Sequence, residues 1–193
     1  MITVITGMGR CGSSLTMQML HAAGVSCVGN GPFFEDERSS FSKFDADWLA
    51  DQEGMAVKVL GIHQVKMKPA DYRFIVLKRN PNEQAKSQTK FYETVIKQKT
   101  DASQKGLKSQ VKKHHSRCLN KARLKGPVLE LDFEDMINNP VYAIAKICKF
   151  MDLKPTECGQ KMLECVIKRN TDCLPTMQIE SVLSDTQSKA ARH

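Results

Sequence analysis

A short apolar strand, a glycine-rich turn and a helix follow one another at the start of the chain. Residues 2–6 (Ile-Thr-Val-Ile-Thr) have the composition of a buried β-strand. Leu15, Met19 and Leu20 then recur at helical spacing, and Gly24 predicts the helix end. The turn between them contains three glycines within six residues: Gly7, Gly9 and Gly12. This strand–turn–helix unit limits the possible folds more than any other stretch.

The turn also predicts an anion site. Glycines allow backbone conformations that other residues avoid, and the hydroxyls of Ser13 and Ser14 lie where a helix N-cap is expected. Free backbone N–H groups and the positive end of the helix dipole then point at one place. We therefore expect phosphate or sulfate to bind here.

Two nucleotide-binding motifs overlap in this turn. A dinucleotide fingerprint needs a second strand that ends in an acidic residue about twenty positions on, but 25–28 is a poor strand. The nearest acids, Glu35 and Asp36, follow a Gly-Pro break. A kinase-type P-loop needs lysine where Ser13 stands, so a kinase would lack its main cation.

A cysteine-phosphatase loop is a third interpretation of the turn. Cys11 would be its nucleophile, and an arginine would follow about six residues later. That position is Met17, which excludes this interpretation.

Arg10 stands directly before Cys-Gly-Ser-Ser, and none of these motifs uses it. Strand-(Lys/Arg)-x-Gly-(Ser/Thr)-(Ser/Thr)-helix resembles the 5′-phosphosulfate loop of sulfotransferases that use 3′-phosphoadenylyl sulfate (PAPS), especially their bacterial-type members. The resemblance implies the following donor-binding residues in this loop: Gly9, Arg10, Cys11, Gly12, Ser13 and Ser14.

A second motif starts at a further apolar strand. Residues 72–78 lead into Arg79-Asn80-Pro81, and Ser87 follows eight residues after the arginine. This arrangement resembles the 3′-phosphate-binding motif of the same family. Arg79 offers a planar fork to a phosphate, Pro81 starts a helix, and Ser87 adds a hydroxyl donor two turns in.

Alternating strands and helices predict a single α/β domain over 1–193 with a parallel sheet of four or five strands, flanked by helices as in P-loop NTPases. Further strands are expected at 56–61 and 128–133, followed by a helix from 134 to 151 that resembles a family segment. Another helix is expected at 156–168, and the polar tail 181–193 is expected to fray.

The resemblance implies PAPS as sulfuryl donor, adenosine 3′,5′-bisphosphate as product, and no metal. Arg10 would neutralise charge on the bridging oxygen as the sulfuryl group leaves. The base that deprotonates the acceptor is either His63, near a strand end that also carries Lys58, or an acid of the 35–37 loop such as Glu35. The acceptor is a hydroxyl or amine of a small molecule, carbohydrate or peptide.

The charge of the chain is positive and unevenly distributed, which bears on its binding partners. The net charge is +8, and residues 86–125 hold twelve Lys or Arg against Glu93 and Asp101. This basic stretch is either a solvated face or a wall that attracts an anionic donor or acidic acceptor. Without aromatic interleaving or a known module, it does not favour nucleic acid.

Seven scattered cysteines without a C-x-x-C pair predict reduced thiols, not a disulfide framework or zinc site. A strand that begins at Ile2, and no apolar run of membrane-spanning length, predict a cytoplasmic protein without a membrane partner.

Two other functions stay open at this point. A nucleotide or small-molecule kinase would use Arg10 in place of the missing lysine and would need a magnesium-binding carboxylate, for which Asp132 is the candidate. A non-catalytic protein that binds adenosine bisphosphate is the second. The family resemblance also implies a basic C-terminal segment that closes over the donor, for which Lys168 and Arg169 are the candidates.

Overall fold

A four-stranded parallel sheet forms the centre of the computed structural model, which describes residues 1–93 and 104–166. The strands are β1 (Ile2–Thr6), β2 (Ala56–Lys58), β3 (Tyr72–Lys78) and β4 (Val128–Asp132). They lie in the order β2-β1-β3-β4, and every pairing is parallel. The predicted α/β fold is therefore confirmed, with four strands.

Seven helices are found in the described residues. They are α1 (Ser13–Ala22), α2 (Ala46–Ala50), α3 (Pro81–Phe91), α4 (Gln104–Arg123), α5 (Phe133–Asn138), α6 (Pro140–Met151) and α7 (Pro155–Glu164). Short 3-10 turns lie at Glu37–Ser39, Phe41–Lys43 and Ile62–Gln64. None of these helices is both long and apolar enough to cross a membrane.

Side chains alternate along the strands and supply two apolar cores, one on each face of the sheet. Ile5 and Ile75 point to the face covered by α1 and α5–α7. Val4 and Phe74 point to the opposite face, where Leu49 of α2 and Cys118 of α4 pack. A parallel sheet covered on both faces explains why its strands are almost continuously apolar.

The register of the sheet brings the anion-binding turn beside the second motif. Thr6 at the end of β1 pairs with Val76 of β3, so Gly7 and Arg79 leave the sheet from neighbouring strands. Ligands of open α/β sheets collect at this carboxyl edge. The fold thus places both predicted phosphate motifs at one edge.

Several predicted boundaries differ from the structure. The predicted helix 134–151 is two helices, because Pro140 has no N–H to continue α5 and instead begins α6. Strand β2 ends at Lys58, short of Gly61. Other predictions concern residues outside the described ranges, namely Lys168, Arg169, the tail 181–193 and part of the basic stretch.

The six cysteines within the described residues are all free thiols, as predicted.

Candidate functional site

The loop between β1 and α1 needs glycine at two positions. Gly12 has φ +94°, and a Cβ there would lie 2.7 Å from the Phe133 ring. Gly7 has φ +148°, and its Cβ would lie 2.8 Å from the Leu77 carbonyl oxygen. A side chain at either position would therefore push the loop off the neighbouring elements.

Helix α1 begins differently from the prediction. Its N-cap is Gly12, and Ser13 and Ser14 occupy the first two helical positions, so the serines are not the cap. No side-chain hydrogen bond caps this helix, and its first turn has no acidic residue. The orphan N–H groups at its start are thus left for an anion.

Cys11 contributes to this loop only through its backbone. Its side chain is fully buried in the apolar core. Burial raises the pKa of the Cys11 thiol to about 12. The thiol is therefore neither a nucleophile nor a direct ligand contact.

The two predicted phosphate motifs contact each other directly. The Arg79 guanidinium donates from Nη1 to the Arg10 carbonyl oxygen at 3.2 Å. The Arg10 side chain donates from Nε to the Ser87 hydroxyl at 3.2 Å. Gln84 adds a bond from Nε2 to the Gly9 carbonyl oxygen at 2.9 Å. Helix α3 is thereby fastened to the loop at the edge where the motifs meet.

Arg79 is almost completely buried, with 5% of its surface exposed. Its guanidinium carbon lies 4.5 Å from the centre of the Phe133 ring, in cation–π geometry. The Arg10 guanidinium carbon similarly lies 5.2 Å from the centre of the Phe91 ring. Aromatic rings therefore orient both arginines, and neither ring was among the predicted site residues.

Lys58 brings a buried cation to the start of α1. Its ammonium donates to the Ser14 hydroxyl at 3.4 Å, to the Glu35 carboxylate at 2.9 Å and to the Phe33 carbonyl oxygen. Burial lowers the Lys58 pKa, and the neighbouring Glu35 carboxylate acts in the opposite direction. A lysine at the end of an otherwise apolar strand was the sequence signal for this contact.

A cleft of about 580 Å³ opens beside this lysine. The loop and the carboxyl edge of the sheet contribute Gly9, Lys58 and His63, while α4 contributes Lys113 and Arg117. Glu35 also lines the cleft, so both predicted bases reach the same space. Part of the predicted basic stretch therefore faces this cleft.

His63 lies in the short turn Ile62–Gln64. Its Nδ1 is 3.3 Å from the Cys118 sulfur, and its ring packs edge-on against His114 with centroids 4.3 Å apart. Burial, and then the charges of Arg117 and Lys121, lower the His63 pKa. The imidazole is therefore neutral at pH 7 and able to accept a proton.

The acids of the 35–37 loop differ in their surroundings. Asp36 accepts from the backbone N–H of Arg38 and pairs with its guanidinium at 2.8 Å, which holds the Asp36 pKa below its usual range. Glu35 instead pairs with Lys58, and 69% of its side chain is exposed. Both acids line the cleft, but Asp36 is held by Arg38, whereas the more exposed Glu35 is held by the buried Lys58.

Asp132, the carboxylate that a kinase would need for magnesium, already has a cationic partner. It lies 3.3 Å from the Lys78 ammonium, which also pairs with Glu130 at 3.2 Å. It borders a second cavity of about 590 Å³, which Arg79 also lines. The carboxylate is therefore not positioned at the cleft that holds Lys58.

A family model described as Sulfotransferase domain matches residues 3–189. The match covers nearly the whole chain, and the protein belongs to this family. The resemblance carried by the two motifs is thereby confirmed. No sequence among the curated proteins matches the chain significantly.

Solved structures show the same fold at low sequence identity. A retinol dehydratase in complex with androsterone and the inactive cofactor PAP has a TM-score of 0.55 at 14% identity, with 84% of this chain and 63% of that chain covered. A mouse sulfotransferase complexed with PAP has a TM-score of 0.56 at 15% identity, with 85% and 64% covered.

A sulfotransferase domain from the curacin biosynthetic pathway has a TM-score of 0.50 at 12% identity, with 97% of both chains covered. The protein thus spans less than two thirds of the retinol dehydratase and mouse sulfotransferase chains, but nearly all of the curacin domain.

Proposed function

We propose that the protein transfers a sulfuryl group from PAPS to a hydroxyl or amine of a small-molecule acceptor. The observation that carries this proposal is the direct contact between the motifs, in which Arg79 bonds the Arg10 carbonyl and Arg10 bonds Ser87. One ligand with two separate phosphate groups fits such a paired site. The PAP bound in the similar structures is such a ligand.

In this proposal, different residues of the chain bind different parts of the donor. Backbone N–H groups of residues 12–14 bind the 5′-phosphate at the start of α1. Arg79 and Ser87 bind the 3′-phosphate. Arg10 and Lys58 place positive charge where the bridging oxygen gains negative charge, which is the type of preorganised stabilisation that dominates many enzymes.

The transfer breaks the bond between sulfur and the bridging oxygen and forms one between sulfur and the acceptor atom. The acceptor's proton passes to a base, and adenosine 3′,5′-bisphosphate leaves. His63 is the favoured base, because a short turn fixed against α4 presents a neutral imidazole to the cleft. Glu35 is the alternative, since it lines the same cleft.

The acceptor itself is proposed only by class. Retinol and androsterone, which are bound in the similar structures, are both small alcohols, and the cleft of about 580 Å³ has room for a small molecule. The transfer assay described below also includes carbohydrate and peptide acceptors. A cytoplasmic location without a membrane or nucleic-acid partner stays a prediction.

Ligand choice tests the proposal without knowledge of the acceptor. Adenosine 3′,5′-bisphosphate without magnesium should raise the melting temperature, since a ligand at a hundredfold over its Kd stabilises the folded state by about 2.7 kcal/mol. ATP with magnesium should give a small shift, because Ser13 replaces the P-loop lysine and Asp132 is paired with Lys78.

The opposite pattern, a large shift with magnesium-ATP and none with the bisphosphate, would support the kinase instead. Transfer from radiolabelled PAPS to a panel of phenols, alcohols, amines, sugars and peptides then separates an enzyme from a non-catalytic binding protein. Binding of the bisphosphate with no transfer to any acceptor class would favour the latter.

A further inference from the structure

Two histidines and a cysteine converge on one wall of the cleft. His63 comes from the Ile62–Gln64 turn, while His114 and Cys118 come from successive turns of α4. Their ligand atoms all lie within 4.8 Å of one another. These three residues are called the His–Cys cluster below.

The two sulfur–nitrogen spacings within the His–Cys cluster are compatible with metal ligands. The Cys118 sulfur is 3.3 Å from His63 Nδ1 and 3.6 Å from His114 Nδ1. Zinc bonds of about 2.3 Å to sulfur and about 2.1 Å to nitrogen place two tetrahedral ligand atoms roughly 3.5 Å apart. Both sulfur–nitrogen distances therefore match a common ion between these atoms.

The surrounding backbone holds the three side chains in place. Gly61, just before the turn, has φ +67°, and a Cβ there would lie 3.3 Å from the His114 ring, so the glycine gives that ring its space. The Ile62 N–H contacts the Thr6 hydroxyl at 3.5 Å, and Lys121 of α4 donates to the Val65 carbonyl at 3.2 Å. The turn is thus fastened to both β1 and α4.

We propose that the His–Cys cluster binds a borderline-soft divalent ion, zinc above all, through one thiolate and two imidazoles. This ligand set selects zinc or cobalt over magnesium and calcium, which prefer oxygen. His63 and His114 line the cleft and Cys118 is buried behind them, so the fourth coordination position faces the cleft.

Binding takes the proton from the Cys118 thiol, and the positive charges of Arg117 and Lys113 at the same cleft favour an anionic fourth ligand. The three ligands lie outside the donor-binding loop, although Gly9 of that loop lines the same cleft. An imidazole that binds the ion at His63 no longer serves as base, so the ion also inhibits the transfer proposed above; this last consequence alone rests on the proposed function.

Cobalt titration of the full chain tests the site in the absence of donor and acceptor. We expect one equivalent to give tetrahedral d–d bands and a thiolate-to-cobalt charge-transfer band, both abolished by zinc and unchanged by magnesium. X-ray absorption of the zinc form should show one sulfur at about 2.3 Å and nitrogens at about 2.0–2.1 Å. That measurement needs no variant.

Variants then assign the ligands. Cys118→Ser should lose the charge-transfer band, and His114→Gln should weaken cobalt binding by at least about tenfold. The matched control is His115→Gln, which alters the neighbouring histidine that pairs with Glu130 at 3.1 Å. Circular dichroism checks that each variant is folded.

A zinc spectrum without sulfur, or an unchanged charge-transfer band in folded Cys118→Ser, would overturn the proposal. A bisphosphate titration of the same samples reports on donor binding separately. Loss of one property with retention of the other therefore shows which of the two proposals has failed.

Discussion

Replacing Arg79 by alanine is expected to separate two roles of this residue. Its guanidinium supports the loop, through the bond to the Arg10 carbonyl and the Phe133 ring, and in our proposal it also binds the 3′-phosphate. Loss of the buried hydrogen bond and the cation–π contact should lower the free energy of unfolding by about 2–4 kcal/mol. Urea denaturation measures this change.

The phosphate contact adds a second, ligand-specific effect. A charge-assisted hydrogen bond contributes about 1.5–3 kcal/mol, so Arg79→Ala should raise the Kd of adenosine 3′,5′-bisphosphate roughly 10- to 150-fold. Adenosine 5′-monophosphate lacks the 3′-phosphate and reports only on the loop. Its Kd should rise much less in the same variant.

Isothermal titration of both ligands against wild type, Arg79→Ala and Arg79→Lys supplies the comparison. Lysine keeps the charge but loses the planar fork, so we expect an intermediate Kd for the bisphosphate. Equal losses for the two ligands in Arg79→Ala would show that Arg79 only shapes the loop. The assignment of the 3′-phosphate to this residue would then be wrong.

Three further predictions concern charge and protonation. Arg10→Ala should lower kcat by about 10²–10³ while the Kd of the bisphosphate changes little, and equal effects on both would contradict a role for Arg10 in the transition state. His63→Ala should bind the bisphosphate normally and lose transfer by about 10²–10⁴ in rate; an active His63→Ala together with an inactive Glu35→Gln would assign the base to Glu35. Burial lowers the pKa of His114 to about 4, so the unfolded state binds more protons between pH 4 and 6.5 and stability is lost as the pH falls through this window. Urea denaturation at pH 7 and pH 5 should show a smaller loss for His114→Gln than for wild type, by at most about 2 kcal/mol, and equal losses would refute this cause.

The strand–turn–helix unit and the order of elements could be predicted because their signals are local. The apolar run, the glycine content and the helical spacing lie within a few residues of each other, and β1 matches its predicted bounds at Ile2–Thr6. The N-cap was misplaced at the serines because Gly12 adopts φ +94°, a conformation that its sequence permits but does not require. Pro140 was the available signal for the break between α5 and α6.

The interior of the site depended on contacts across the chain. Lys58 and Glu35 are 23 residues apart, and only the packing of the 35–37 loop against β2 places them 2.9 Å apart. The family motif assigned Arg79 to the site, but its stacking on Phe133 joins residues 54 positions apart. A local sequence pattern carries no information about contacts between residues so far apart in the chain. The motifs therefore predicted which edge of the sheet forms the site, but not the residues that support it.

The central position of β1 bears on how the chain folds during synthesis. Both neighbours of β1 come later in the chain, and its main partner, β3, is complete only at Lys78. At about 5–20 residues per second, the ribosome makes the residues between Thr6 and Lys78 in roughly 4–14 s. Strand β2 is complete earlier, at Lys58, but it pairs with β1 through only three residues. Ile2, Val4 and Ile5, which are almost wholly buried in the finished sheet, therefore lack their main partner strand throughout that interval. Chaperone binding to nascent chains should therefore concentrate on this first strand until β3 has emerged.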